Sequence, residues 1–381
     1  MDQTQTKNQK DSSRFAVVNR LPVPTFRFLR VNEAGIGIPT DARAAENDWA
    51  SISLPEGVTL TSLSGMDDLA ENLSAIETGM GDSVDTAFRR QEIPVSLLSV
   101  RADAGASPIL LPLTVPCRSS AMTALAIHAQ KGSDVRIILD IRSDTEACAA
   151  ARGFFGLSVR VYAEEGARVH LTQIFRMAQE MTWFGDLGGY CDKEAAFSLT
   201  TLSLGGSRRT SQSNAFLGAK VLLAGDEASF TNSTGYYCAG QTQMDMNYIA
   251  DQRGKHTVSD MTFRGILTDH AMKTWRGTID FKPGSVGSAG DEQEDTLMLS
   301  SHVENDSVPV ILCGEEDVDG RHGATIGQLS EDMLFYMRAR GYTDAQARRL
   351  IIQARLKSVA REIPDERLRW EVEQWIEREI A

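Results

Sequence analysis

The sequence predicts a mainly β protein whose core is a coiled stack of short strands, a β-helix, with helical segments at both ends. Three observations carry this reading. Over 101–326, short runs of β-branched residues alternate with period two and are broken by Gly, Asp, Asn and Ser. Two of the breaks share a pattern, Ala163-Glu-Glu-Gly-Ala-Arg-Val169 and Ala224-Gly-Asp-Glu-Ala-Ser-Phe230, each an acidic, Gly-containing corner before a small residue and a new strand. Strands entered repeatedly through like corners suggest a stack, although a β-sandwich fits the same texture. After Gly327 the spacing of apolar residues changes to that of helices.

Taken in order, residues 1–12 are polar and aperiodic and read as a disordered tail. Residues 13–100 mix short apolar runs with Gly and acidic patches and read as a small mixed or helical unit. Within it, 66–90 has room for one or two helices with Leu69, Leu73 and Ile76 on one face. The β core is assigned to 101–328, with strands expected at 135–141, 157–162, 168–174, 220–223 and 278–281.

Residues 329–381 read as three helices. Ser330 opens the first, which carries Met333, Leu334, Tyr336 and Met337, and Gly341 sits where a left-handed C-cap would end it. Thr343 and Gln346 have capping-box spacing ahead of a second helix with Ala347, Leu350, Ile351 and Leu356. Pro364 suits the first turn of the last, whose Leu368, Val372, Trp375 and Ile380 form one apolar stripe. Three short helices cannot bury Trp370 and Trp375 alone. They are expected to pack on the β core or on another protein, with the stripe as the natural docking surface.

The chain has 381 residues and a formal charge of −13, with 42% hydrophobic and 24% charged residues. That composition is globular. A pI near 5.0 disfavours nucleic acid and anionic membranes, which require clustered Lys and Arg. The opening MDQTQTKNQKDSSR has no apolar core of a leader, and no stretch approaches the roughly 20 apolar residues of a membrane span. A soluble, cytoplasmic chain is expected. Five widely separated cysteines (Cys117, Cys148, Cys191, Cys238, Cys313) with no CxxC fit reduced thiols.

The acidity is local. Residues 31–100 hold twelve acids against Arg43, Arg89 and Arg90, and 283–319 hold ten acids with no Lys or Arg. The remainder is mildly basic.

No P-loop, GxSxG, HExxH or dinucleotide fingerprint occurs. Of the histidines, His128, His170 and His270 read as core or surface residues, and His302 lies in the second acidic segment. The exception is 309–328, PVILCGEEDVDGRHGATIGQ. There a strand-like run to Cys313 is followed by an acidic corner, Glu315, Glu316 and Asp317, then His322. A thiolate, an imidazole and carboxylates within about ten residues are donor types that take Fe(II) or an iron-sulfur unit. The Cys-x8-His spacing fits a solvated loop with a buried cysteine equally well.

This block and its surroundings resemble the SufB/SufD family of iron-sulfur cluster assembly proteins. His322-Gly-Ala-Thr-Ile-Gly-Gln-Leu, then Leu334-Phe-Tyr-Met and Arg338-Ala-Arg-Gly341, are similar to the family signature SHGATVG…LFYLRSRG. Arg253-Gly-Lys-His-Thr-Val-Ser-Asp260, Phe263-Arg-Gly-Ile-Leu267, Arg276-Gly-Thr-Ile279 and Leu297-Met-Leu-Ser300 follow the family's order. Asn19-Arg-Leu-Pro-Val-Pro-Thr25 resembles the start of some SufD-like members.

The resemblance implies a right-handed parallel β-helix, pairing through the β-helices as a homodimer or with a SufB-type partner, and a SufC-type ABC ATPase bound at the C-terminal helices. Tyr336, Leu350, Ile351, Trp370 and Trp375 would then be docking residues, and ATP would be hydrolysed by the partner rather than by this chain. It also implies that Cys313, in the place of a SufB-type cysteine, and His322, in the place of the SufD-type histidine, handle sulfur or a transient cluster. Three positions depart from the pattern. Gly320 stands for the KCSH cysteine, Ser288-Ala-Gly-Asp-Glu-Gln293 degrades a TDxxQ stretch, and Gly323 replaces a carboxylate, so Glu315, Glu316 or Asp317 would supply oxygen. A purely structural SufD-like paralogue is one alternative. A carbohydrate-active β-helix protein is another, though no aromatic falls over 284–316.

Overall fold

Successive side chains on a strand point to opposite faces, so a chain that returns again and again to parallel register stacks like residue over like. In the computed structural model this happens along most of the chain. The structure describes residues 13–25, 27–63, 68–105, 107–143, 153–178, 180–205 and 212–379. The tail, Cys148 and Ile380 lie outside the described residues.

The N-terminal unit contains β1 (Ser13–Val18) paired antiparallel with β2 (Ala34–Pro39), short strands β3 (Arg43–Ala44) and β4 (Val58–Ser62), and helices α1 (Asp68–Ala75) and α2 (Asp82–Arg90). Leu73 and Ile76 are buried and Leu69 packs beside them, as the helical spacing predicts.

The core runs through β5 (Val95–Val100), β6 (Ile109–Val115), β7 (Ser120–Ala129), β8 (Asp134–Ser143), β9 (Gly153–Ala163), β10 (Arg168–Arg176), β11 (Met181–Cys191) and β12 (Ala196–Ser203). It continues through β13 (Asn214–Leu223), β14 (Ser229–Cys238), β15 (Gln243–Gln252), β16 (Val258–Leu267), β17 (Met272–Phe281), β18 (Ser288–Met298), β19 (Glu304–Cys313) and β20 (Val318–Gln328). Odd-numbered strands from β5 to β19 stack in a ten-stranded sheet completed by β3 and β4, and even-numbered strands from β6 to β20 form an eight-stranded one. All pairs along the stack are parallel except β4 with β5. This is a two-faced parallel β-solenoid, and the sandwich alternative is excluded. The lumen is closed by inward rows such as Val135, Ile137, Leu139 and Ile141, and by ring pairs such as Phe197 with Phe230 at 5.7 Å. Each buried side chain of that size contributes about 1.5–3 kcal/mol.

The two corners alike in sequence are equivalent in space. Each carries the chain from the ten-stranded to the eight-stranded sheet, and Gly166 (φ 67°) and Glu227 (φ 62°) occupy the same left-handed position. Glu194 and His256 repeat it on other turns. Each of these residues donates its N–H one turn onward, as Gly166 does to Lys193 O and Glu227 to Lys255 O, both at 2.8 Å. Corner backbone is thereby satisfied without water.

After β20 come α3 (Glu331–Ala339), α4 (Asp344–Ala360) and α5 (Glu366–Glu379). Ser330 caps α3, the Thr343–Gln346 capping box opens α4, and Gly341 (φ 91°) takes the left-handed position. The start of α5 differs from expectation. Asp365 rather than Pro364 forms it, its carboxylate accepting the Leu368 N–H at 2.7 Å, since a side-chain acceptor satisfies a free first-turn N–H and proline offers none. The stripe is also spent internally. Leu368, Val372 and Ile376 are buried with Ile352, Leu356 and Val359 against Ile138, Ile174, Leu202 and Ile266 of the eight-stranded sheet. Among the described residues Cys117 departs from the reduced state expected, being disulfide-bonded, while Cys191, Cys238 and Cys313 are free. No helix among the described residues is long and apolar enough to cross a membrane.

Candidate functional site

The last turn of the solenoid, β19 and β20, ends both sheets and has a neighbour on one side only. Cys313 closes β19, in register with the buried Phe281 of β17. His322 lies mid-strand in β20, in register with the buried Glu292 of β18. Partners in register share a face, so both side chains belong to the inward faces of their strands, at the open end of the lumen. Gly320, two residues before His322, confirms the direction, since a Cβ there would lie 3.1 Å from both Ile311 and Phe281. Cys313 and His322 are exposed because no further turn covers them. A loop with a buried cysteine is therefore not what forms. The thiol is open and the imidazole sits on a strand.

The acidic corner is placed differently. Glu315 accepts N–H bonds from Gly284 (3.0 Å) and Glu316 (2.9 Å), which hold its carboxyl below the usual range. It staples this corner to the one beneath. Glu316 and Asp317 are exposed, and the Asp317 carbonyl receives the Gly287 N–H at 2.7 Å. Gly323 alternates with His322 and faces open space. Among the described residues no three His, Cys, Asp or Glu side chains are grouped to hold a metal ion.

Two acids of the same segment lie inside the lumen. Glu292 is fully buried and its carboxyl is pushed up to about 8 by burial. Its Oε1 accepts the Val310 N–H at 3.1 Å, and Oε2 has no hydrogen-bond partner. Glu294, two residues on, is ion-paired with Lys273, accepts from the Tyr236 hydroxyl at 3.0 Å and from Thr296 at 3.1 Å, and also receives the Ser307 hydroxyl. Burial lowers the Lys273 pKa against the pull of Glu294 and raises that of Tyr236. The only signal available in sequence was alternation: Gly290, Glu292, Glu294 and Thr296 fall on one face of a strand.

The residues expected to dock a partner divide. Trp370 (62% exposed), Tyr336 (54%) and Leu350 (40%) face outward, joined by Phe335 (72%), which the sequence reading did not single out. Ile351 and Trp375 are half-buried against the cluster beneath the helices.

Comparison with known proteins gives a consistent picture. The SufBD core domain family of the SUF system for FeS cluster assembly matches residues 115–355, more than half of the chain. An iron-sulfur cluster assembly SufBD family protein of Mycobacterium leprae is 24% identical over 287 residues, 72% of this chain and 69% of the relative. The iron-sulfur cluster assembly protein SufD of Bacillus subtilis is 28% identical over 127 residues, 33% of this chain and 29% of that protein. A SufBD family protein of Staphylococcus epidermidis is 25% identical over 146 residues, 38% of this chain and 31% of the relative. The matched stretch thus spans about a third of the length of the last two.

Proposed function

Because the chain belongs to the SufBD family of iron-sulfur cluster assembly proteins, we propose that it is a scaffold subunit that handles sulfur or a transient cluster at the open end of its solenoid. The observation that carries this reading is the shared inward placement of Cys313 and His322 on the final turn. A thiolate at Cys313 is a soft ligand and a sulfur acceptor, and the imidazole of His322 ligates iron or orients the thiolate. Cluster and sulfur are cargo here, and the remaining ligands come from the cargo's donor or from a second chain. The unpaired edges of β19 and β20 suit strand addition by another copy or by a SufB-type partner. A SufC-type ABC ATPase is proposed at the outward residues Tyr336, Leu350 and Trp370, with Ile351 and Trp375 supporting them from beneath.

Anaerobic reconstitution with iron and sulfide, read by visible absorbance and bound iron, tests the site. Cys313→Ala and His322→Ala are each expected to lose cluster loading while the unfolding midpoint is unchanged. Full loading and function in both variants would leave a purely structural role.

A further inference from the structure

Two histidines, His270 of those that read as core or surface residues and His302 of the second acidic segment, are brought together by the solenoid. His270 lies in the corner before β17 and His302 in the corner before β19. Met272 and Glu304 are register partners, and each histidine precedes its partner by two residues, so they hold one position on successive turns. Their ring centroids are 5.0 Å apart with the planes inclined at 41°, and both residues are exposed.

The supporting corners are fixed. The His270 N–H donates to Gly240 O at 2.9 Å, and Asp269 accepts the Gly240 N–H at 3.0 Å. The Ser300 hydroxyl accepts the His302 N–H at 3.2 Å and lies 3.4 Å from Nδ1 of the same ring. That contact engages Nδ1 and leaves Nε2 as the ring nitrogen available to a ligand, the orientation that an outer hydrogen bond gives a metal-binding histidine.

We propose that His270 and His302 form a two-imidazole site for a divalent first-row transition cation such as Zn(II). An ion about 2.1 Å from each nitrogen is roughly 3.2 Å from each ring centre, which at near-tetrahedral angles puts the two rings about 5 Å apart. The observed centroid separation of 5.0 Å matches that spacing. Imidazole pairs select borderline cations over Mg(II) and Ca(II), which need oxygen donors. With two protein ligands the remaining positions belong to water or to donor atoms of a binding partner. This site is independent of the lumen end and does not rest on the scaffold role proposed for Cys313 and His322.

The test uses the purified full chain, stripped of metal and titrated with Zn(II) alone by calorimetry and with Co(II) by absorbance. A Cys313→Ala/His322→Ala double variant serves as a parallel background. The double variant is expected to bind one equivalent with a Co(II) spectrum free of thiolate charge transfer, and the wild-type chain to bind at least that equivalent. His270→Ala and His302→Ala are each expected to weaken that binding at least roughly tenfold, the loss that follows even from removing an outer-shell partner. Both residues are exposed, and circular dichroism checks that the variants fold. The proposal is overturned if the wild-type chain binds no Zn(II), if either histidine variant binds with unchanged affinity, or if binding disappears with Cys313 and His322 instead.

Discussion

Asp186 and Asn247 stand on opposite sides of Gly218 in a single ladder across β11, β13 and β15, and between them they clamp one peptide of the N-terminal unit. The Asp186 carboxyl accepts the Met80 N–H at 2.8 Å, and the Asn247 amide donates to the Gly79 carbonyl at 3.0 Å. The N-terminal unit is thus held on the outer face of the ten-stranded sheet by polar groups buried beneath it.

Asp186 gives this clamp a pH dependence. Burial pushes its carboxyl up to about 7 from an ordinary value of 3.8, so the folded chain holds a proton that the unfolded chain releases. The stability it contributes is full below pH 3.8, declines as pH rises through about 7, and is level above that. The span is on the order of 4 kcal/mol. Urea midpoints between pH 4 and 8 should fall more steeply in the wild-type chain than in Asp186→Asn, in which an uncharged acceptor for Met80 remains. Equal slopes in the two proteins would exclude Asp186 as the source.

Gly79 sits where a side chain cannot. A Cβ there would lie 2.0 Å from the Ala219 nitrogen, a backbone atom that has no room to yield. Gly79→Ala is therefore expected to cost about 1–3 kcal/mol. It should also release the N-terminal unit to limited proteolysis while the solenoid's circular dichroism persists.

Inside the lumen, Lys273 and Glu294 are fully buried partners. Lys273→Met alone strands a carboxylate and Glu294→Leu alone strands an ammonium, each expected to cost about 3–5 kcal/mol, whereas the double change should cost much less than their sum. Chemical unfolding of the four proteins measures the coupling directly. Additive losses would mean that the pair does not interact.

The C-terminal helices should separate binding from stability. Trp370→Ala is expected to weaken association with a co-expressed ABC ATPase subunit by about 2 kcal/mol and to leave stability within about 0.5 kcal/mol. Ile376→Ala, beneath the same helices and fully buried, should destabilise the fold by about 2–5 kcal/mol. Calorimetric titration and unfolding on the same preparations distinguish the two effects.

The strands, the helix caps and the stacked architecture were legible in sequence because alternation, capping-box spacing and corner glycines are local signals. The likeness of the corners at Gly166 and Glu227 marked a geometric equivalence that neither residue type announces, a glycine and a glutamate sharing one backbone conformation. Cys313 and His322 were found through composition and resemblance, but their common inward facing depends on register over neighbouring strands. Glu292 and Glu294 entered only as two of the ten acids of 283–319, because their spacing shows that they share a face and not that the face is the lumen. The same blindness to stacking hid the approach of His270 to His302, residues 32 positions apart that meet only because two turns coincide.

A solenoid is held together turn by turn, each layer stabilised by its two neighbours, so its melting behaves as a one-dimensional chain that unzips from its ends. The layer bearing Cys313 and His322 has one neighbour where interior layers have two. It is accordingly among the first places from which unzipping can start. Whatever binds there replaces the missing neighbour and adds RT ln(1 + [L]/Kd) to the stability of that layer. Any ligand of this end would therefore be linked to completion of folding, and hydrogen exchange of the β19 and β20 amides would gauge its occupancy.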